Sequence, residues 1–242
     1  MQFSCMRADF DKESLAKQFG YKSFKRYQSR SAFLFEGLSL KDKRILEVGC
    51  GSGAFCIWAG LQGAEYVLGI EPESDGYIQG TLDSFRASLQ KLGLSNVEGK
   101  NCFLQNLSVP DKKFDIILMN NVINHLDESA VEILHKDKQA AEKYVKILKD
   151  LKKFLNPGGL VIIADCARSN FWNAFGLKSP VSPTIEWHKH QNQRQWTNIF
   201  SQAGYTLYDF RWSPLYPIGK LASNFLVQYM TMSHFVLRFQ KQ

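Results

Sequence analysis

The chain is predicted to be an α/β protein with a mostly parallel sheet and helices on both faces. From Lys43 onward, short apolar runs alternate with amphipathic stretches, the rhythm of a parallel sheet covered by crossover helices. The first run, Ile45-Leu46-Glu47-Val48, turns directly into Gly49-Cys50-Gly51-Ser52-Gly53, and an acid, Glu71, follows eighteen residues after the last of these glycines. Strand, glycine turn and helix in this order form a site for an adenosine-containing cofactor, because backbone without Cβ turns tightly and approaches a ligand closely.

Before the sheet, Ser14–Phe19 and Ser31–Glu36 read as short helices joined by a basic, aromatic link, Tyr21–Tyr27. That link either covers a cofactor opening or serves as an N-terminal cap. Strands are then expected at 44–48, 66–70, 97–104 and 114–119, with helices at about 53–62 and 74–92. A long helix over 129–155 should end at the turn Asn156-Pro157-Gly158-Gly159 and lead into strand 160–165. The segment 167–194 breaks the rhythm with Phe171-Trp172-Asn173-Ala174-Phe175, Pro180, Pro183 and Trp187-His188-Lys189-His190, and is placed to form a lid or substrate pocket. Helix 193–202, strand 205–212 and strand 234–240 restore it. Between the last two strands, Pro214–Ser233 suits a helix over the sheet, a pocket wall, an oligomer contact or a membrane-surface helix. Ligands should gather at the carboxyl ends of the strands.

With 242 residues, 45% of them apolar, the chain can bury a full core as one domain, residues 43–242, preceded by a helical cap at 1–42. The five cysteines form no metal-binding or disulfide pattern, which predicts reduced thiols and a cytoplasmic setting. The N-terminus lacks a signal-peptide core, and no run approaches the roughly 18 apolar residues of a membrane span. The formal charge of +7 suits acidic partners, but its densest stretch, Lys136–Lys153, interleaves with apolar residues at helical spacing and reads as a solvated helix face. A homo-oligomer is compatible with the sequence, and nothing in it points to a transmembrane association.

Glu71 is placed to accept hydrogen bonds from both hydroxyls of a ribose. The spacing Gly49-x-Gly51-x-x-Ala54 followed by Glu71 also satisfies a loose dinucleotide pattern, so a nicotinamide-dependent oxidoreductase is one reading, although no convincing Tyr-x-x-x-Lys reducing pair follows the cofactor half. Glu47 argues the other way. A carboxylate before the turn suits an ammonium-bearing ligand and repels a pyrophosphate.

The ordered set Leu46–Gly53, Gly69-Ile70-Glu71, Phe114-Asp115-Ile116-Ile117, Asn121-Val122-Ile123-Asn124-His125-Leu126 and Leu155–Gly159 resembles the class I S-adenosylmethionine-dependent methyltransferases of small-molecule type. The resemblance implies a seven-stranded Rossmann-like sheet, mostly parallel with an antiparallel last strand, and S-adenosyl-L-methionine as cofactor. It implies that Glu47, Gly49, Cys50, Gly51 and Gly53 shape the methionine side of the site and that Glu71 binds ribose. Where the family often carries an acid near the adenine, this chain has Phe103, which either packs in the sheet or stacks on a ring. Gln105 could then supply the adenine edge, and Asn121 part of the cofactor rim. A non-catalytic protein that binds the cofactor would share these features.

Methyl transfer is a displacement that needs alignment and, for a hydroxyl acceptor, a base. His125, just after a strand end, is the first candidate base, with a structural role as its rival; His188 and His190 are alternatives. In an extended segment these two would alternate, so only one would face a common pocket. A metal centre is not expected, since His188-x-His190 has no acid at a recognisable spacing. The sequence carries no nucleic-acid-binding module and no Asn-Pro-Pro-Tyr-like motif after strand 114–119. The resemblance to small-molecule methyltransferases implies methylation on oxygen, and the polar and aromatic residues of 171–196 suit a small hydroxylated acceptor such as a sugar or glycan precursor.

Overall fold

The computed structural model describes residues 11–73, 79–108, 111–180, 182–216, 219, 221 and 223–242. They group into two compact units, Met1–Leu118 and Met119–Gln242. The sheet has seven strands in the order β3-β2-β1-β4-β5-β7-β6. Strands β1 (Arg44–Val48), β2 (Tyr66–Glu71) and β3 (Val97–Asn101) pair in parallel, whereas β7 (His234–Lys241) runs antiparallel to both β5 (Leu155–Cys166) and β6 (Tyr205–Trp212). The seven-stranded mixed sheet expected from the sequence is present.

In the first unit, α1 (Lys12–Gln18) starts where the Asp11 carboxylate accepts from the Ser14 amide, and α2 (Phe24–Leu34) where the Ser23 hydroxyl accepts from the Arg26 amide. These are standard caps for the orphan amides of a first turn. Because Ser23 caps, the expected link and second short helix merge into one helix. Helix α3 (Ala54–Leu61) buries Phe55, Cys56, Ile57, Trp58, Ala59 and Gly60, as an apolar helix inside a core must. Helix α4 (Thr81–Leu92) follows Gly80 in left-handed backbone, later than the expected start; residues 74–78 lie outside those described. β3 stops at Asn101 rather than 104, because Leu104–Asn106 close a 3-10 turn. β4 (Phe114–Asn120) completes the strands on this side of the order.

In the second unit the expected long helix is two, α5 (Glu128–Ile133) and α6 (Lys138–Leu151). Asp137 divides them: its carboxylate accepts from the Ala140 amide at 2.7 Å and starts a new helix. Helix α6 buries Ala140, Tyr144, Val145, Leu148 and Leu151 and exposes Lys143, Lys146 and Lys149, the solvated lysine face read from the sequence. The expected turn at 156–159 is the irregular start of β5, with Gly158 at φ 71° and pairing to β7 from Leu160 onward. Helices α7 (Phe171–Ala174), α8 (Gln193–Gln202) and α9 (Phe225–Met230) fill the rest. The edge strand β6 carries a bulge between Leu207 and Asp209, a device that spoils edge-to-edge pairing.

Gly53 is the tightest point of the first unit. Its φ is +79°, and a Cβ there would lie 2.1 Å from the ring of fully buried Phe85 on α4. Both backbone and ring would have to move, so Gly53→Ala should lower stability by about 2–4 kcal/mol, measured by urea unfolding. Stability equal to the parent would show that the turn is not locked by Phe85.

Candidate active site

The glycine turn is stitched to the end of β2. The amides of Gly49 and Cys50 both donate to the Ile70 carbonyl, at 2.8 and 3.1 Å, and the Gly51 amide donates to Glu71 Oε2 at 2.7 Å. Gly49 and Gly51 hold φ of 68° and 51°, which side chains with a Cβ rarely adopt. Among the described residues, no atom beyond its chain neighbours lies within 4 Å of the place a Gly51 Cβ would occupy, so by these residues the turn is left open on that side and closed at Gly53. Cys50 is buried, and its sulfur and that of Cys56 lie at 2.7 and 2.8 Å from where a Gly69 Cβ would sit. Only glycine at 69 leaves room for both thiols.

Glu47 is 3% exposed and accepts from Cys56 Sγ at 2.9 Å. Burial pushes its carboxyl up to about 8, against the Cys56 hydrogen bonds that lower it and with the added repulsion of Glu71. By itself, Glu47 is therefore protonated at neutral pH. A cation beside it would restore the carboxylate. This is the environment an ammonium group relieves and a pyrophosphate does not. Glu71 is also raised, first by burial, with the Gly51 amide pulling the other way.

The N-terminal helices pack onto this turn. Tyr27, fully buried, donates its hydroxyl to the Ala54 carbonyl at 2.7 Å in the first turn of α3 and meets the Trp58 ring edge-on, with Phe19, Tyr21 and Phe24 around it. Gln18 donates to the Ser84 carbonyl and to the Ser88 hydroxyl on α4. At the ends of β2 and β3, Glu73 and Asn101 exchange two hydrogen bonds, and Glu73 Oε1 accepts from Thr81 Oγ1 and the Leu82 amide. Sequence reasoning missed Glu73. Its signal was an acid eight residues before a helix-starting threonine, which is too weak to stand out. Phe103 lies past the end of β3, half-buried at the start of the 3-10 turn, and Gln105 within that turn is exposed. Phe103 therefore does not pack within a strand.

In the second unit, Asn121 takes a left-handed conformation, φ 54°, with its amide donating to the Ala164 carbonyl at 2.7 Å. Its Oδ1 meets Nε2 of buried His234 at 3.2 Å, and His234 Nδ1 meets Ser213 Oγ at 2.6 Å. His234 was not singled out from the sequence, because a histidine opening a terminal strand carries no local signature.

The three candidate histidines separate. Trp187–Lys189 form a 3-10 turn, not an extended segment, and this is what turns His188 outward and His190 inward. His188 is exposed near Glu132, brought by folding, and Glu186, two residues before it in the chain. His125 is exposed, with Nδ1 2.7 Å from Glu128 Oε1; Glu128 also pairs with Lys189 at 3.0 Å. His190 is buried, and its Nδ1 lies 2.8 Å from Oδ1 of fully buried Asp165 at the end of β5. Asp165 Oδ1 also accepts from the Cys166 amide, while its Oδ2 is buried without a hydrogen-bond partner. Exposed ion pairs such as His125–Glu128 fix little; a buried carboxylate fixes both tautomer and orientation of an imidazole. Asp165 sits at a strand's carboxyl end, the one signal that could have found it. Within the 167–194 segment, Trp187, His188, Ser179, Lys178 and Asn173 line a cavity of about 410 Å³.

Residues 19–209 match the family described as "Methyltransferase domain". Among curated proteins, the chain is 26% identical over 124 residues to a tRNA U34 carboxymethyltransferase of Desulfotalea psychrophila, covering 51% of this chain and 32% of that protein. It is 24% identical over 149 residues to a ubiquinone biosynthesis O-methyltransferase of Rhodopseudomonas palustris, covering 62% and 47%. The chain thus spans between a third and a half of the length of these relatives. A crystal structure of a SAM-dependent methyltransferase from Aquifex aeolicus superposes with a TM-score of 0.62 at 18% identity, covering 97% of this chain and 100% of that one. With the family match extending over well more than half of its length, the chain belongs to the class I S-adenosylmethionine-dependent methyltransferases.

Proposed function

We propose that the chain binds S-adenosyl-L-methionine at the 49–53 turn and transfers its methyl group to a hydroxyl oxygen of a small polar molecule, a sugar or glycan precursor being the class favoured by the polar and aromatic 167–194 segment. The observation that carries the cofactor reading is Glu47, a buried carboxyl whose charge is unfavourable until a cation meets it. Glu47 would hold the ammonium of the methionine portion, the backbone of Gly49, Cys50, Gly51 and Gly53 would face it closely, and Glu71 would take the ribose hydroxyls. Gln105 and Asn121 are assigned to the adenine edge and the rim.

When bound, the cofactor supplies an electrophilic methyl on a sulfonium. What remains for the protein is to exclude water, align the acceptor oxygen and remove its proton. His190 is the base this reading favours: with Nδ1 held by Asp165, its Nε2 can receive a proton, and the buried carboxylate stabilises the imidazolium that forms. His125 and His188 are the alternative bases. Oxygen as the acceptor atom is supported by the ubiquinone-pathway O-methyltransferase among the relatives.

Calorimetry is expected to show saturable binding of S-adenosylmethionine and of its demethylated product but not of NAD, with Glu71→Ala weakening the former by at least about tenfold. Binding confined to NAD would overturn the assignment. The pH dependence follows from Glu47. Raised to about 8, it must lose its proton to meet the ammonium, so affinity should rise by up to about tenfold per pH unit until pH about 8 and level off above. Proton release on binding, measured in buffers of different ionisation enthalpy, should disappear in Glu47→Gln; a release unchanged in that variant would remove Glu47 from the site. In a labelled-methyl screen of hydroxylated metabolites, His190→Ala should lower turnover by about 10²–10⁴-fold with cofactor affinity retained, and His125→Ala and His188→Ala by much less. Full turnover in His190→Ala would leave alignment without this base.

A further inference from the structure

Asn121, the residue after β4, is exposed, yet its carboxamide is held by a buried histidine of the same unit. Among the described residues, three other than glycine take left-handed backbone, Asp42, Asn121 and Ser233. Two of these border His234: Ser233 precedes it, and Asn121 Oδ1 meets its Nε2 at 3.2 Å. Such backbone persists only where neighbouring structure over-determines it, and it gathers at functional sites. The neighbouring structure here is specific. The His234 amide donates to Oε1 of fully buried Gln228, its carbonyl accepts from the Ser213 amide, and its Nδ1 meets the Ser213 hydroxyl at 2.6 Å. Gln228 Nε2 in turn donates to the Ser213 carbonyl, and Ser233 Oγ donates to the carbonyls of Ser169 and Gln228. Both the backbone and the ring of His234 are therefore fixed before Asn121 is reached.

This chain of bonds sets what Asn121 can offer. A carboxamide oxygen only accepts, so the ring nitrogen facing it, Nε2, carries the proton, and in the neutral ring Nδ1 accepts from the Ser213 hydroxyl. With Oδ1 turned to the ring, the carboxamide presents its Nδ2, whose two N–H groups meet no hydrogen-bond partner among the described residues. A group that only donates suits a group that only accepts. We infer that Asn121 Nδ2 donates to the carboxylate of the methionine portion of S-adenosylmethionine, and that His234, fixed by Ser213 and Gln228, is the positioning residue that aims it. This rests on the reading that assigns Asn121 to the cofactor rim. In that reading Glu47 meets the ammonium and Glu71 the ribose hydroxyls, and the cofactor carboxylate is the acceptor-only group that neither of these carboxyls can serve.

The test compares, by calorimetry on the full chain, S-adenosylmethionine with its decarboxylated analogue, which keeps the sulfonium, the ammonium and the adenosine. The parent should bind the analogue at least about tenfold more weakly. Asn121→Asp keeps the size of the side chain and its tolerance of left-handed backbone, but sets an anionic oxygen where Nδ2 was. It should weaken S-adenosylmethionine by about 10²-fold and leave the analogue bound no more weakly than by the parent. His234→Leu removes the donor to Asn121 and should weaken S-adenosylmethionine by at least about fivefold, whereas His234→Gln, whose amide can donate in the same direction, should stay within about twofold of the parent. Neither should change the affinity for the analogue. Circular dichroism and melting temperature show whether His234→Leu is folded, and Asn121→Asp tests the inference without altering the buried network. Nitrogen-15 spectra of histidine-labelled protein should show His234 protonated on Nε2. Losses in Asn121→Asp that are equal for the two compounds, or absent for both, would overturn the inference and leave the cofactor reading standing. So would a His234 protonated on Nδ1 alone, which would turn the carboxamide around. A parent that binds neither compound would overturn the cofactor reading itself, and the inference with it.

Discussion

Three amides of one turn, those of Gly49, Cys50 and Gly51, are satisfied by the last two residues of β2, and the geometry of the first unit is organised around that junction. The Ile70 carbonyl takes two of them and the Glu71 carboxylate the third. In return, the turn holds three glycines in left-handed backbone and starts α3 at Ala54. Left-handed conformations persist only where surrounding structure over-determines them, and here the surroundings are specific. Phe85 fills the space beside Gly53, the two thiols fill that beside Gly69, and Tyr27 holds the Ala54 carbonyl.

The same junction explains the electrostatics. Two carboxyls, Glu47 and Glu71, sit at the ends of adjacent strands, and burial raises both. Burial makes ionising Glu47 cost more than the Cys56 hydrogen bond returns. Raising a carboxyl above its unfolded value makes the folded state lose stability as pH rises from about 4.5 through about 8. A cationic ligand reverses that penalty, so the turn is more at ease with such a ligand than alone.

The second unit shows a similar contrast in its histidines. His125 and His188 lie in an exposed network of Glu128, Glu132, Glu186 and Lys189, where solvent screens each pair. His190 and Asp165 are a buried pair with one carboxylate oxygen unsatisfied, an arrangement that constrains proton position much more tightly.

The alternation of apolar runs located the strands, because a buried strand needs them and a turn interrupts them; β1, β2 and β4 lie within a residue of their expected limits. The glycines and Glu71 were legible for the same local reason: backbone conformation and strand-end position are properties of short segments. What sequence alone did not settle was decided at capping positions and by contacts distant in the chain. Asp137 split one expected helix into two, and Ser23 fused a link with a helix, since a side chain's choice to cap depends on the geometry folding gives it. Asp165, twenty-five residues from His190, became its partner only when β5 and the 3-10 turn met. The amino-acid order by itself determined the sheet and the glycine turn, which local backbone chemistry specifies. Only the tertiary structure decided which carboxyls are buried and which histidine is held, because burial and long-range pairing belong to the packed chain.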